Sequence, residues 1–325
     1  MKLKKVLALA LACTTVAASF AGCGKKDDKV YKVGICQLVQ HDALDAATKG
    51  FQDALKEKLG DKVTFDLKNA AGDSPTCGVI VGQFVSDKVD LIMANATASL
   101  QSAFAATADI PIVATSITDY ATAMDIDNWT GKTGINVTGT SDLAPLDKQA
   151  AMIKELFPEA KKVGILYCSA EPNSKYQAVK VAEYLKELGL ESEEFTCADT
   201  NDVAMVTSAA CAASDVIYIP TDNMMAHSTG IVDGVAAPAG VPIVAGEAGI
   251  CKGCGVATLS IDYYSIGYEA GLLAYEILEN GKNPADMEIG YATELTKQYI
   301  KERCEKFNVE VPEDYVAVSI EEEEQ

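Results

Sequence analysis

Short apolar runs in this 325-residue chain are repeatedly followed by small polar side chains. In the first half these are Gln37 beside Leu38, then Asn95, Ala96 and Thr97, then Thr115, Ser116, Thr118 and Asp119. In the second half they are Ser169, Glu171, Asn173 and Ser174, then Thr221, Asp222 and Asn223, then Glu247. Ser141 and Asp142 lie between the halves, and Asp262 follows the second. The first set offers hydroxyls and amides; the second adds the acids Asp222 and Glu247. Together they suit a zwitterion. Its carboxylate fits the Thr97 or Ser116 hydroxyls together with backbone amides at a helix start. Its ammonium fits Asp222 or Glu247 through charge-assisted hydrogen bonds. Neither set contains an Arg or Lys for a strongly anionic ligand. Each position also has a plainer use. Thr97, Asp222, Asp142 and Asp42 open helices and can serve as N-caps. Asp119 and Asp262 read equally as loop or hinge caps, and Ser169 and Asn173 as turn formers.

The elements that position these residues alternate strand and helix. Residues 30–39 form a strand, and 41–60 an amphipathic helix with Leu44, Ala47, Phe51, Ala54 and Leu55 on one face, ended by Gly60. A strand (KVTFDLKNAAG), a helix (TCGVIVGQFVSD), an apolar strand (VDLIMANAT), a helix (TASLQSAFAAT) and a strand (IPIVATSIT) follow. Fully apolar strands alternating with helices predict a parallel sheet covered on both faces. The pattern then repeats: KVGILY echoes KVGICQ, SDVIYIPTDN echoes VDLIMANAT, and VPIVAGEAG echoes IPIVATSIT. Val163 lies 130 residues after Val33, Asp215 lies 125 after Asp90, and Val241 lies 131 after Ile110. Three strands in one order at nearly one offset predict two similar units. The fold class is therefore α/β: two Rossmann-like lobes with parallel sheets joined by a hinge. Residues 30–140 with 261–289 are assigned to lobe 1, and 141–260 with 290–320 to lobe 2. The helical pattern at 263–281 returns to cover the first lobe, and the segment from Thr293 crosses back. Ligands of open parallel sheets sit beyond the carboxyl ends of the strands, so two facing lobes place the polar residues across one cleft.

The N-terminus carries a compartment signal. MKLKK, a short apolar run and Ala21-Gly22-Cys23 form a secretory signal over residues 1–22. The run is too short to anchor as a membrane helix. Ala21-Gly22-Cys23-Gly24 resembles a bacterial lipobox, which makes Cys23 the lipidated N-terminus and residues 23–29 a tether. The expected location is the extracytoplasmic face of the cell membrane. The formal charge of −20, moved to −23 by loss of Lys2, Lys4 and Lys5, argues against nucleic acid as a partner. Residues 321–325, EEEEQ, read as a solvated acidic tail.

Ten cysteines allow disulfides in an exported chain. Cys251-Lys252-Gly253-Cys254 reads as a structural loop or small disulfide; no second CxxC and no nearby His completes a zinc set. Cys36, Cys77, Cys168, Cys197 and Cys211 read as small buried residues. His41 and His227 are isolated, one at a helix start and one on a helix surface. No metal and no cofactor is expected. GxGxxG, GxSxG, HExxH and P-loop motifs are absent, so catalysis would fall on the Asp222 and Glu247 carboxylates; the expectation is a binding protein, not an enzyme. A signal peptide stands where a ligand-sensing repressor would carry a basic helix-turn-helix head.

QLVQHDALDAATKGFQDAL, NAAGD, FVSDKVDLIMANAT, IPIVATSITD, NVTGTSDLAP, PTDN and IDYYSIGYEAG resemble the substrate-binding proteins of ABC transporters, in the family that includes a tryptophan-binding uptake protein. The resemblance spans nearly all of residues 31–300. It implies a type I periplasmic-binding fold that closes on its ligand by hinge motion. It also implies delivery to ABC permease subunits and, for several members, an aromatic amino acid as ligand. Asn95-Ala96-Thr97-Ala98 and the GEAGICKGC segment depart from the family pattern, which bears on the ligand rather than the fold. A receptor ectodomain, or a nucleoside or sugar site, is the alternative.

Overall fold

The computed structural model describes residues 29–292 and 294–320. The signal segment, Cys23 with most of the tether, and the acidic tail 321–325 lie outside the described residues. In chain order the first half runs β1 (Tyr31–Gln37), α1 (Asp42–Leu59), β2 (Val63–Asn69), α2 (Ser74–Ser86), β3 (Leu91–Asn95), α3 (Thr97–Ala106), β4 (Ile112–Ile117), α4 (Tyr120–Met124) and β5 (Val137–Ser141). The second half runs α5 (Leu146–Leu156), β6 (Lys162–Cys168), α6 (Pro172–Glu187), β7 (Glu191–Cys197), α7 (Val203–Ala213), β8 (Val216–Ile219), α8 (Asn223–His227), α9 (Thr229–Ala239), β9 (Ile243–Ala245), α10 (Ala248–Cys254) and β10 (Ala257–Ile261). The return segments are α11 (Tyr263–Leu278), β11 (Gly290–Tyr291), β12 (Leu295–Ile300), α12 (Lys301–Phe307) and β13 (Val316–Val318).

Two sheets result. The first has the order β11-β5-β4-β3-β1-β2 and is wholly parallel; the second has the order β13-β12-β10-β9-β8-β6-β7. The second is parallel except where β12 joins β10 antiparallel. The inner strands of the first sheet, β1, β3, β4 and β5, have side chains on two covered faces, whereas the edge strand β2 is largely exposed. Val33 and Ile35 of β1 pack with Phe51 of α1 and Ala270 of α11, while Cys36 packs with Val81 and Phe84 of α2 and Leu100 of α3. That split is the period-two alternation of a strand buried on both sides. The second sheet is built alike, with α5 and α6 on one face and α7, α9 and α10 on the other.

The chain passes between the sheets three times: from β5 to α5, from β10 to α11, and from β11 to β12. Helix α11 lies against α1 of the first lobe. The approach is close because small residues face each other. A Cβ on Gly267 would fall 2.0 Å from the Ala47 carbonyl oxygen, and one on Gly50 would fall 2.1 Å from that of Tyr264. The sheet edges shift the expected division slightly. Ser141 ends β5, and Gly290–Tyr291 pairs with Thr140–Ser141, so both belong to the first sheet rather than the second. Ile261 pairs with Leu295 in the second sheet.

Candidate functional site

Carboxyl ends of both sheets face one another, and the lobes touch across the gap. His41 Nε2 lies 3.3 Å from Asn223 Oδ1, His227 Nδ1 lies 3.2 Å from the Gln40 carbonyl oxygen, and Gln177 Nε2 donates to Thr118 Oγ1 at 3.4 Å. These contacts describe a closed pair of lobes. Between them lies a cleft of about 340 Å³, of the size expected for a small ligand. Leu38, Val39, Gly72, Asp73, Ser74, Ala98 and Gln101 line it from the first lobe; Cys168, Glu171, Asn173, Asn223 and Met224 line it from the second. No Lys or Arg is among its lining residues.

Several predicted positions are structural first. Gln37 is buried, donates to the Val39 carbonyl oxygen at 2.9 Å and to Asp45 Oδ1 at 2.6 Å, and accepts from Thr48 at 2.7 Å. It fixes the loop from β1 into α1. Asn95 donates to the Leu44 carbonyl oxygen and to Thr48, at 2.8 and 2.9 Å, while its Oδ1 is buried without a partner. Thr115 accepts from Thr140 at 2.9 Å. Ser141 donates to the Thr118 carbonyl oxygen at 3.0 Å. Three of the polar residues lie at the surface or rim. Asp119 caps α4 through Thr122 N at 2.7 Å, Asp262 caps α11 through Tyr264 N at 2.9 Å, and Ser169 donates to the Cys197 carbonyl oxygen.

Backbone strain marks the ends of β3 and β4. Ala96 has φ 83° and ψ 159°, a region that glycine alone enters freely, and Ser116 has φ 57°. Ala96 is the residue before α3, so its conformation delivers Thr97 as the first residue of that helix; Thr97 itself does not cap it. The Ser116 hydroxyl is buried without a partner. Strain of this kind, held in place by a packed sheet, is concentrated at ligand sites.

The acids on the opposite lobe are helix caps in fact. Asp222 accepts from Met225 N at 2.8 Å and from Cys168 N at 2.6 Å, which ties the start of α8 to the end of β6. Glu247 accepts from Gly249 N at 2.6 Å and Ile250 N at 2.5 Å at the start of α10. Both are almost fully buried, and burial pushes each carboxyl up to about 7; the Glu171 charge adds to the shift at Asp222. Of the other helix-opening acids, Asp42 is the first residue of α1 after His41, which makes no side-chain cap bond, and Pro145 rather than Asp142 precedes α5. Asp142 instead accepts from Thr118 at 3.1 Å and from Tyr263 at 2.9 Å, and burial raises its carboxyl to about 6.

Two residues act as connectors: Glu171, already among the strand-end candidates, and Gln177, which sequence reasoning missed. Glu171 stands before α6, yet its carboxylate reaches α8. It accepts from Asn223 N at 3.1 Å, Asn223 Nδ2 at 2.7 Å and Met224 N at 2.9 Å, and from Asn173 Nδ2 at 3.1 Å. Gln177 accepts from Thr221 N at 3.1 Å while its amide bridges to Thr118 of the other lobe. The available signal was a polar patch, Asn173, Ser174 and Gln177, continuing into the apolar face of α6 formed by Ala178, Val181 and Leu185. Cys251 and Cys254, expected in a loop or disulfide, lie within helix α10 as free, buried thiols. Tyr120 and Trp129 stack at 6.3 Å, and Tyr120 donates to the Ala114 and Thr140 carbonyl oxygens, so both serve the first lobe's core.

Two α/β lobes, three crossings and a polar cleft at the facing sheet ends define a two-lobed solute-binding protein of the type I periplasmic-binding fold. The model of the ABC transporter substrate binding protein family matches residues 32–322, and the chain belongs to that family. The family is one of solute-binding proteins, not of enzymes, and its members work outside the cytoplasm. A tyrosine-binding protein of Clostridioides difficile (strain R20291) is 39% identical over 305 residues, covering 89% of this chain and 88% of that one. Among solved structures, an ABC domain from Streptococcus pneumoniae in complex with L-Trp is 30% identical with a TM-score of 0.85, covering 89% of this chain and 99% of the other. The ligand-free, open structure of a substrate-binding protein with adhesive properties from Clostridium difficile is 36% identical, with the same coverages, but its TM-score is 0.68. Greater sequence identity with lower structural agreement fits a difference in lobe closure. No helix among the described residues is long and apolar enough to cross a membrane.

Proposed function

We propose that this chain is the lipid-anchored capture component of an ABC importer and that its ligand is an aromatic amino acid, tyrosine or tryptophan. The observation that carries the reading is the polarity of the closed cleft. Small polar side chains line it from both lobes, with the acids Asp73 on one side and Glu171 and Asp199 on the other, and no Lys or Arg lines the space between. On this reading the carboxylate of the ligand lies toward Thr97 and Ser116, at the start of α3 and near the end of β4 in the first lobe, and its ammonium toward Glu171, an acid of the second lobe that lines the cleft. Asn95, Thr118, Asn173, Ser174, Thr221 and Asn223 complete the polar walls. The 39% identity to a tyrosine-binding protein and the L-Trp bound to a 30% identical chain support the aromatic side chain. Ligand bridging both lobes favours closure because the open form lacks half of its contacts. Cys23 is the lipidated residue, and permease subunits receive the loaded protein.

Thermal-shift measurements on the chain from Lys25 onward test the ligand. A ligand bound only to the folded state raises the Tm. The expected result is a rise with tyrosine, tryptophan or phenylalanine and none with nucleosides or sugars; a rise with a sugar alone overturns the assignment. Cys23→Ser tests the anchor, with the protein moving from the membrane fraction to the medium or periplasm.

A further inference from the structure

Cys36 is the penultimate, fully buried residue of β1, and Cys77 sits in the first turn of α2. Gly34 and Cys36, two residues apart, share one face of the sheet. A Cβ on Gly34 would meet the Phe84 ring at 2.6 Å, so α2 lies against β1 with no side chain between them there. Phe84 follows Cys77 by seven residues, two helical turns along the same face of α2. The contact that seats Phe84 over Gly34 therefore carries Cys77 toward Cys36.

Both thiols converge on one hydroxyl of α3. Cys36 Sγ donates to Ser99 Oγ at 3.6 Å, and Cys77 Sγ lies 3.5 Å from the same oxygen. All three side chains are fully buried. Hydrogen bonding with Cys36, and then with Ser99, lowers the Cys77 thiol to about 7, while the same contact with Cys77 pushes Cys36 up. The other cysteines behave differently. Cys168 and Cys197 face each other in register across β6 and β7, but burial raises them to about 12 and about 11. Cys251 and Cys254 are likewise raised by burial. Cys77 is thus the thiol of the described chain that is lowered, and the thiolate is the nucleophile of disulfide exchange. The family works outside the cytoplasm, where a disulfide persists.

We propose that Cys36 and Cys77 form a redox-responsive pair whose disulfide staples the first turn of α2 to the end of β1. The staple lies behind one wall of the cleft: Leu38 and Val39 follow Cys36, Asp73 and Ser74 precede Cys77, and all four line the cleft. In the step, a local opening of the first turn of α2 brings Cys77 to solvent, where its thiolate attacks one sulfur of a small-molecule or protein disulfide and expels one thiolate. Cys36 loses its proton, attacks Cys77 and displaces the second. One S–S bond of the oxidant breaks, one forms in this protein, and the oxidant leaves as two thiols. Ser99 sits where it can accept the Cys36 proton's hydrogen bond in the reduced form.

The test is peptide mapping of the chain from Lys25 onward after equilibration in oxidised or reduced glutathione. Free thiols are alkylated under denaturing conditions and the protein is digested without reduction. The expected result is a Cys36–Cys77 crosslinked peptide in the oxidised sample alone, with a Tm several degrees above that of the reduced protein. Cys77→Ser removes both the crosslink and the redox-dependent Tm difference, while its Tm in reducing buffer stays near that of the parent. Full alkylation of both residues after oxidation, or a crosslink confined to other cysteines, overturns the proposal. If Cys77→Ser fails to fold, the map of the unmutated protein decides by itself. No ligand enters the measurement, so its outcome is separate from that of the ligand assignment.

Discussion

Tyr263 donates its hydroxyl to Asp142 Oδ2 at 2.9 Å, and the two residues sit on different crossings between the lobes. Asp142 follows β5 on the way to α5; Tyr263 begins α11 after β10. The bond ties two hinge strands to each other. It continues through Thr118 to Asp142 at 3.1 Å and through Gln177 to Thr118 at 3.4 Å, reaching from the hinge into α6 of the second lobe. Around it Ala43, Ala47, Ala144, Ile261 and Ile266 form a small apolar cluster that keeps water away. A hydrogen bond to a charged acceptor is worth about 1.5–3 kcal/mol, and to a neutral one about 0.5–1.5. Tyr263→Phe leaves Asp142 one donor short. The expected outcome is a lower Tm and, by small-angle scattering of the ligand-free protein, a larger radius of gyration from a population shifted toward open. An unchanged radius would place the closing force elsewhere.

Stability should fall as pH rises from about 5 to 8. Burial raises Asp142 to about 6 and Asp222 and Glu247 to about 7, above the usual carboxylate range near 4. Between those values the folded chain holds more protons than the unfolded one, so the derivative of unfolding free energy with pH is negative. The contribution is fully present below about pH 4 and lost as pH passes the folded values. A Tm series at fixed ionic strength checks the sign. Glu247→Gln removes one of the three groups and should flatten the slope; a Tm that climbs steadily from pH 5 to 8 would contradict the assignment of these carboxyls as buried and raised.

Gly267→Ala should be among the most damaging single-methyl changes. Its new Cβ would lie 2.0 Å from the Ala47 carbonyl oxygen, backbone that cannot yield without shifting α11 off α1. Overpacking of this kind costs about 1–3 kcal/mol. A lower urea midpoint is expected. Gly281→Ala is the contrasting control: a Cβ there meets nothing within 4 Å, and only its φ of 66° opposes the change.

Ala96→Gly should stabilise the ligand-free protein. Ala96 is held at φ 83° and ψ 159°, a conformation costing an L-residue about 1–3 kcal/mol, of which the greater chain entropy of glycine in the unfolded state takes back about 0.5–1. The expected rise in Tm is small but positive. If Tm falls instead, the methyl group packs with more benefit than the backbone strain costs.

Much of the architecture was legible because its causes are local or repeat at a fixed offset. Apolar strands such as residues 91–95 and 216–219 declare a sheet covered on both faces, and the three matched strands declare two lobes. Gly60 ends α1 at φ 57°, as its position after the periodic run predicts. Capping by Asp119, Asp222 and Asp262 is equally local, since each cap bond joins residues two or three apart. The placement of α11 followed from a helix left over after the second lobe was complete.

What the sequence by itself determined, then, was the two-lobed α/β plan and, among the strand-end candidates, Leu38, Glu171, Asn173 and Asn223, which line the cleft. Tertiary structure alone decided which groups are consumed before a ligand arrives. Gln37 is taken up by Asp45, Thr48 and Val39, and Asp222 by an amide of Cys168, 54 residues away. It also decided the connectors. Glu171 reaches across to Asn223 and Met224, Gln177 to Thr118, and Tyr263 to Asp142, 121 residues apart. The physical reason is that periodicity and capping act within a few residues, whereas a buried polar group must find its partner wherever the packed chain brings one, and no local pattern encodes that distance.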